Sequence, residues 1–296
     1  MIPDLVSVPS RDDPVVSVII LAHKPREYLF EAVMSALQGR DRQPAFEIIL
    51  VKPFENPDWD LRFKSLGVRL VTCKKAGAGA KLAEGCRSAR GNIIAFLEDD
   101  DAFEFGKLET IIRVFQGDPE LVYFHHDQRA IDAQGHTLGW IHGTPGFNLS
   151  SVAVRKGFLL RHLTLFEALP AASDKMLYYL IRISGAPSLH SGLLLTRYRI
   201  HEENRHLRYD PTEDWLLLAS YLRHVPTYGL KEKLIVAYLV SSSSVLVTTR
   251  LLLGRRWGSK LIRWYSWALW FRHRHEVLGE KPRRSHPDGV PMLTPL

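Results

Sequence analysis

The sequence predicts an α/β fold, a mostly parallel sheet with helices on both faces, followed by a C-terminal helical appendage. Three observations carry this expectation. Short apolar runs rich in β-branched residues alternate with stretches of helical period through the first half of the chain. Those runs are apolar throughout, as in strands covered on both faces. The charge map then divides the chain. Residues 1–249 balance, while residues 250–296 hold ten Lys/Arg against three acids and carry the whole net charge of +7.

The elements follow in order. Val15 to Leu21 reads as a buried strand, and Pro25 suits the first turn of the helix that follows. Leu29, Val33, Ala36 and Leu37 recur at helical spacing, and Gly39 ends that helix. Phe46 to Val51 and Val68 to Thr72 read as the second and third strands. The small residues Gly77 to Ala80 lead into a helix ending near Gly91. Ile93 to Leu97 is a fourth strand, Lys107 to Gln116 a helix, and Leu121 to Phe124 a further strand. Asp132 to Gly135 has the composition of a hairpin turn. Helical patterns then cover about 155–168, 174–184 and 211–223, with a strand-like run at Leu193 to Ile200 between the last two. The domain boundary is expected near residue 225, giving domains 1–225 and 226–296.

Composition excludes several classes. Hydrophobic residues make up 46% and charged residues 24%, enough for a real core and against a disordered chain. Two cysteines, Cys73 and Cys86, exclude a disulfide scaffold and a cysteine-rich zinc site. Met1 to Ser10 lacks the apolar core of a secretory leader, so a cytoplasmic location is expected.

The chemistry concentrates in Glu98, Asp99, Asp100 and Asp101, which follow the fourth strand directly. In open α/β sheets, ligands bind outside the carboxyl ends of the strands. Adjacent carboxylates repel, and a hard divalent ion, Mg²⁺ or Mn²⁺, compensates them and grips phosphate oxygens. The plain alternative is a solvated acidic loop.

The run from Gly85 through Gly91 and Glu98–Asp101 to Lys107 resembles the nucleotide-binding core of family 2 glycosyltransferases with the Rossmann-like GT-A fold. Val16 to Leu21, with the Tyr28–Leu37 helix, is similar to that family's first strand and helix. Tyr198-Arg199-Ile200-His201-Glu202-Glu203-Asn204 resembles its Tyr-Arg-x-His-x-x-Asn segment, and Ser173-Asp174 its acidic catalytic dipeptide. The resemblance spans about residues 14 to 206. It implies a metal-dependent, inverting glycosyltransferase that moves a sugar from a nucleotide-diphosphate sugar donor to a glycan or lipid-linked acceptor. By position, Asp174 is implied as the catalytic base. Ala22, His23, Glu55, Lys81, Glu98 and Asp99 are implied at the nucleotide. Asp100, Asp101 and His201 are implied at a divalent cation, Mn²⁺ or Mg²⁺.

Departures from the pattern leave alternatives. The acid that reads the base in the family's Asp-Asp-Gly-Ser segment is replaced by Lys52-Pro53-Phe54-Glu55-Asn56, where Glu55 is the nearest substitute. The family's Arg-Asn pair before Gly85 is Leu82-Ala83 here, and Lys81 beside it reaches either a phosphate or solvent. Asp174 is either the base or a helix N-cap. His201 serves either the site or the framework. His125 and His126 are neighbours on a strand and point to opposite faces, so they do not share one ion. Trp140, His142 and Asn148 fall where the acceptor pocket is expected, with an aromatic face that either stacks on a sugar or packs in the core. A nucleotidyltransferase is disfavoured, because Ala22-His23-Lys24-Pro25 is not a Gly-rich signature loop. A non-catalytic nucleotide-sugar-binding or membrane scaffold protein is the other alternative.

In the appendage, the uncharged run Leu234 to Thr249 holds 16 residues, fewer than the ~20 needed to span a bilayer. Arg255 to Arg274 reads as an amphipathic helix, with Trp257, Leu261, Trp264, Ala268 and Phe271 on one stripe and basic residues on another. Basic and tryptophan residues together suit an anionic headgroup region, so peripheral contact through 228–274 is expected at the cytoplasmic membrane face. No nucleic-acid module is recognisable. The alternative is a helical pair packed on the catalytic domain.

Overall fold

The computed structural model describes residues 15–38, 46–142 and 148–204. The expected helix at 211–223, the boundary near 225 and the basic appendage lie outside the described residues, as does Gly39.

The described elements alternate as anticipated through the first half. They are β1 (Val16–Leu21), α1 (Tyr28–Leu37), β2 (Phe46–Lys52), α2 (Pro57–Ser65), β3 (Arg69–Thr72), α3 (Ala78–Ser88), β4 (Ile93–Glu98), β5 (Ala102–Phe103) and α4 (Lys107–Gly117). The second half holds β6 (Tyr123–Ile131), β7 (Thr137–Ile141), a 3-10 turn at Leu149–Ser151, β8 (Val152–Arg155), α5 (Lys156–Leu160), α6 (Leu163–Ala168), α7 (Ser173–Ser184) and β9 (Ser188–Arg199).

The sheet runs in the order β3-β2-β1-β4-β8-β6-β9-β5, with β7 hairpinned onto β6. Strands β1 to β4 are parallel, β8 is antiparallel to both β4 and β6, and β6 is parallel to β9. The sheet is therefore mixed but mostly parallel. Every residue of β1, β2 and β6 except Arg129 is buried, which is why these runs carry few charges.

Alternation along β1 separates two cores. Ile19 and Leu21 pack with α3, α5, α6 and α7. Val16, Val18 and Ile20 pack with α1 and α4. Helices thus cover both faces. Gly91 shows how tightly the chain returns to the sheet. A Cβ there would stand 2.7 Å from the Ser17 backbone nitrogen, and its own N–H donates to Ser17 Oγ at 2.9 Å.

Several expectations shift. Pro25 does not enter α1. Residues 23–27 form a loop before it, with Glu27 at the N-cap position. The helical pattern at 155–168 breaks into α5 and α6 around Arg161 and His162. Helix α2 was not anticipated, although Asn56-Pro57 starts it in the usual way, with the Trp59 N–H donating to Asn56 Oδ1 at 3.2 Å. Strand β6 extends well past Phe124 because β9 pairs along its whole length. The Asp132–Gly135 turn closes the β6–β7 hairpin as expected, with Gly135 at φ +91°.

Candidate active site

The carboxyl ends of β1, β2 and β4 share one edge, since Leu21 pairs with both Val51 and Glu98. From that edge the chain turns at once, with the Asp101 N–H reaching the Glu98 carbonyl at 3.2 Å. The turn fans the three aspartates in different directions, and each carboxylate finds its own partners.

Asp99 is buried and turns toward β1, where its Oδ2 accepts the His23 N–H at 2.8 Å. Asp101 turns inward. Its Oδ1 accepts the Arg199 N–H and its Oδ2 the Asn148 side-chain amide, both at 2.9 Å. Asn148 also donates to Gln128 Oε1 at 3.0 Å, which ties this carboxylate to the middle of β6. The Glu98 N–H donates to Ser150 Oγ at 2.9 Å. Asp100 is the least buried of the three aspartates. Its Oδ2 receives Arg26 Nη1 at 3.1 Å and His201 Nε2 at 3.0 Å. The Glu203 N–H donates to His201 Nδ1 at 3.2 Å, which puts the imidazole proton on Nε2, facing Asp100.

Arg199 braces this arrangement. Its buried guanidinium donates to the carbonyls of Asp100 (2.9 Å), Asp132 (3.3 Å) and Ala133 (3.1 Å) and to the Glu31 carboxylate. It lies over the Tyr28 ring at 4.5 Å. Asn204 closes the same segment, donating to the Arg199 carbonyl at 3.1 Å and accepting the His201 N–H.

The electrostatics follow from burial and crowding. Burial, and then the neighbouring charge of Asp100, push the Asp99 carboxyl up to about 6 and the Asp101 carboxyl up to about 7. Burial and the charges of Asp100, Asp101, Asp174 and Asp99 push Glu98 well above its ordinary value. At Asp100 burial also works upward, but the His201 hydrogen bond and the Arg26 charge outweigh it and hold the carboxyl low. Asp100 is thus the carboxylate of the cluster held below its ordinary value, while burial and crowding raise the other three.

The sequence candidates fall as follows. Ala22 is buried at the end of β1, its N–H bonded to the Val51 carbonyl at 2.9 Å. Lys81 is buried, with its ammonium 2.9 Å from His23 Nδ1, so it is not a solvated helix-start lysine. Burial pushes that ammonium below its ordinary value, while Asp99 acts to hold it up. Glu55 is exposed in the loop after β2, on the same edge. Asp174 sits in the first turn of α7, where its charge acts on Glu98 and on the Tyr198 hydroxyl. It is not the N-cap, because Ala172 holds that position with φ +58°. Trp140 is buried and packs in the framework, with no open face for a sugar. Asn148 is likewise buried, as the support of Asp101.

Arg26, Arg199 and Ser150 were missed. The signal for Arg26 in the sequence is its position five residues past β1, at the carboxyl edge of the sheet. Arg199 was visible inside the Tyr-Arg-x-His-x-x-Asn segment.

The donor set fits a divalent cation. Ligand oxygens of Glu98, Asp100 and Asp101 lie within 4.8 Å of one another, all of them hard carboxylate donors. Burial, and then the charges of neighbouring carboxylates, raise two of the three carboxyls, a cost that a cation would relieve.

Residues 17–165 match the family described as Glycosyl transferase family 2. Solved structures of S. aureus TarS share the fold. TarS 1-349 in complex with UDP-GlcNAc gives a TM-score of 0.58 at 14% identity, covering 76% of this chain and 71% of that one. TarS 1-349 in complex with UDP gives 0.56 at 14% identity, covering 76% and 70%. A longer TarS chain gives 0.56 at 14% identity, and this chain spans 42% of its length. A search of curated proteins found no match.

Proposed function

The chain belongs to glycosyl transferase family 2, and on that premise we propose that it moves a sugar from a nucleoside-diphosphate sugar to an acceptor hydroxyl, with inversion at the anomeric carbon. The observation that carries this reading is the convergence at one sheet edge of Asp99 and Asp100 with Arg26, Lys81 and His201, and of Glu98 with Asp174.

The roles divide by chemistry. Asp99, held by the His23 N–H, faces the nucleoside, and the buried Lys81 ammonium lies beside it as a counter-charge for phosphate. Glu55 on the β2 loop is the candidate base reader. Asp100, with Glu98 and Asp101 beside it, holds the divalent cation, Mn²⁺ or Mg²⁺, and His201 approaches the same point. When bound, that ion offsets the charge developing on the leaving nucleoside diphosphate. Asp174 takes the proton from the acceptor hydroxyl as the acceptor oxygen bonds to the anomeric carbon. The bond from that carbon to the diphosphate oxygen breaks on the opposite face, so the electron pair leaves with the nucleotide and the proton ends on Asp174. Since TarS 1-349 has been crystallised with UDP and with UDP-GlcNAc, a uridine nucleotide is the first donor to test.

The finer proposals rest on the sequence of the appendage. Its basic, tryptophan-bearing sequence supports a lipid-linked acceptor and peripheral contact at the cytoplasmic face through 228–274. If a chain lacking residues 228–296 sediments with anionic vesicles as the full chain does, that proposal is wrong.

Calorimetry with UDP and GDP, with and without Mn²⁺, tests the site itself. Metal-dependent nucleotide binding that is lost in Asp100→Ala supports it. Binding unchanged by that substitution overturns the placement of the cation.

A further inference from the structure

A second constellation lies outside the acidic loop. It is built on β7, β6 and β9, which pair side by side. Asp127 stands in the central strand, β6. The β6–β7 register pairs Gln128 with Ile141, so one residue further it sets Asp127 opposite His142. On the other side, β9 carries His190 opposite His125, and the pairing then slips between His126 and Asp127. A bulge of this kind re-aims the side chains beside it.

The result is a convergence of three ligating groups on one point. His142 Nδ1 lies 3.0 Å and His190 Nε2 2.9 Å from the same oxygen, Asp127 Oδ1. Donor atoms of the three residues lie within 4.8 Å of one another. Their side chains are 4%, 11% and 10% exposed for Asp127, His142 and His190, so water has little access. The His142 and His190 ring centroids stand 4.6 Å apart, with the His125 ring tilted 4.5 Å from His190 and Trp140 6.2 Å from His142. A rigid aromatic wall therefore limits how far the ligands can swing.

We propose that Asp127, His142 and His190 form a binding site for a zinc-class transition-metal ion, separate from the carboxylate site at Asp100. Two imidazoles and one carboxylate are a donor set that borderline metals prefer, whereas Mg²⁺ and Mn²⁺ prefer oxygen. The spacing is already close to what is needed. Zinc–ligand bonds of about 2.0–2.2 Å place tetrahedral neighbours ~3.3 Å apart, a few tenths beyond the present nitrogen–oxygen separations. Three protein ligands leave one position for water. The ion would lock β7 and β9 onto β6 one residue before Gln128, the residue that holds Asn148 and through it Asp101. It is thus a positioning device for the loop rather than a part of the transfer chemistry. The family's own sequence signal at the acidic loop does not include any of these three residues.

The test uses the full chain stripped with a chelator and titrated with Zn²⁺ in excess Mg²⁺, which occupies the carboxylate site. About one equivalent of Zn²⁺ should bind and survive Asp100→Ala. His142→Asn and His190→Asn should each weaken it at least about tenfold. Asp127→Asn, which keeps an oxygen acceptor for both imidazoles, should fold normally by circular dichroism and still lose Zn²⁺. Co²⁺ in place of Zn²⁺ should give visible absorption of a four-coordinate site, absent in His190→Asn. The proposal is overturned if the unsubstituted chain takes up no Zn²⁺ under these conditions. It is equally overturned if Asp100→Ala abolishes uptake while the three other variants retain it.

Discussion

His201 donates its Nε2–H to Asp100 Oδ2 across 3.0 Å, joining residues 101 positions apart in the chain. Arg26 reaches the same oxygen from the opposite end of the domain at 3.1 Å. Asp100 is thereby made the anionic focus of the site before any ligand arrives, and each contact carries a measurable consequence.

Arg26 competes with a divalent cation for Asp100. Removing it deletes a charge-assisted hydrogen bond and a like charge beside the ion. Arg26→Ala should therefore tighten Mn²⁺ binding by the nucleotide-free protein by about tenfold. Calorimetric titration with Mn²⁺ alone measures this, and a weaker affinity would refute the competition.

Asp99 carries the clearest pH dependence. Its carboxyl is pushed from 3.8 up to about 6 in the fold, chiefly by burial. A raised carboxyl costs nothing below its unfolded value, where both states are protonated. The cost sets in above pH 3.8 and is complete once pH passes about 6. At about 1.4 kcal/mol per unit, ionised Asp99 destabilises the cation-free fold by up to ~3 kcal/mol. Asp99→Asn keeps the acceptor for the His23 N–H, so it should stabilise the cation-free protein at pH 8 and leave it unchanged near pH 4. Urea unfolding at the two pH values decides the point.

Arg199 spends its guanidinium on three carbonyls and a carboxylate from three separate segments. A lysine cannot span them. Arg199→Lys should cost about 3 kcal/mol or more, since it leaves Glu31 and buried carbonyls poorly matched. A loss below about 1 kcal/mol in chemical denaturation would show that the clamp is dispensable.

Asp174→Asn preserves shape in the first turn of α7 and removes the capacity to take a proton. Transfer should fall about 10²- to 10⁴-fold while donor binding stays within a factor of about two. Steady-state transfer and calorimetry on the same variant separate the two readouts. Retained activity would move the base elsewhere.

Much of the fold was legible from local pattern. The runs at Val16, Phe46 and Ile93 are apolar because their strands are covered on both faces, and that signal needs no partner to be read. The acidic turn was legible because Glu98 to Asp101 are contiguous. Strand β8 and the break between α5 and α6 were not, since Val152 to Arg155 is short and continues into a helical period. The alternative for Lys81 failed for a related reason. Sequence marks a lysine at a helix start as solvated, whereas the packing of α3 against the sheet buries it beside His23.

By itself the sequence determined the alternation of strands and helices and the carboxylates at the carboxyl edge of the sheet. Each of these depends on neighbours in the chain or on a fixed period. The tertiary structure decided which donors face Asp100, which arginine clamps the loop, and that Asp127 collects His142 and His190 rather than its neighbours His125 and His126. Those choices depend on strand register and on a bulge in β9, and one residue of slip turns a side chain to the other face.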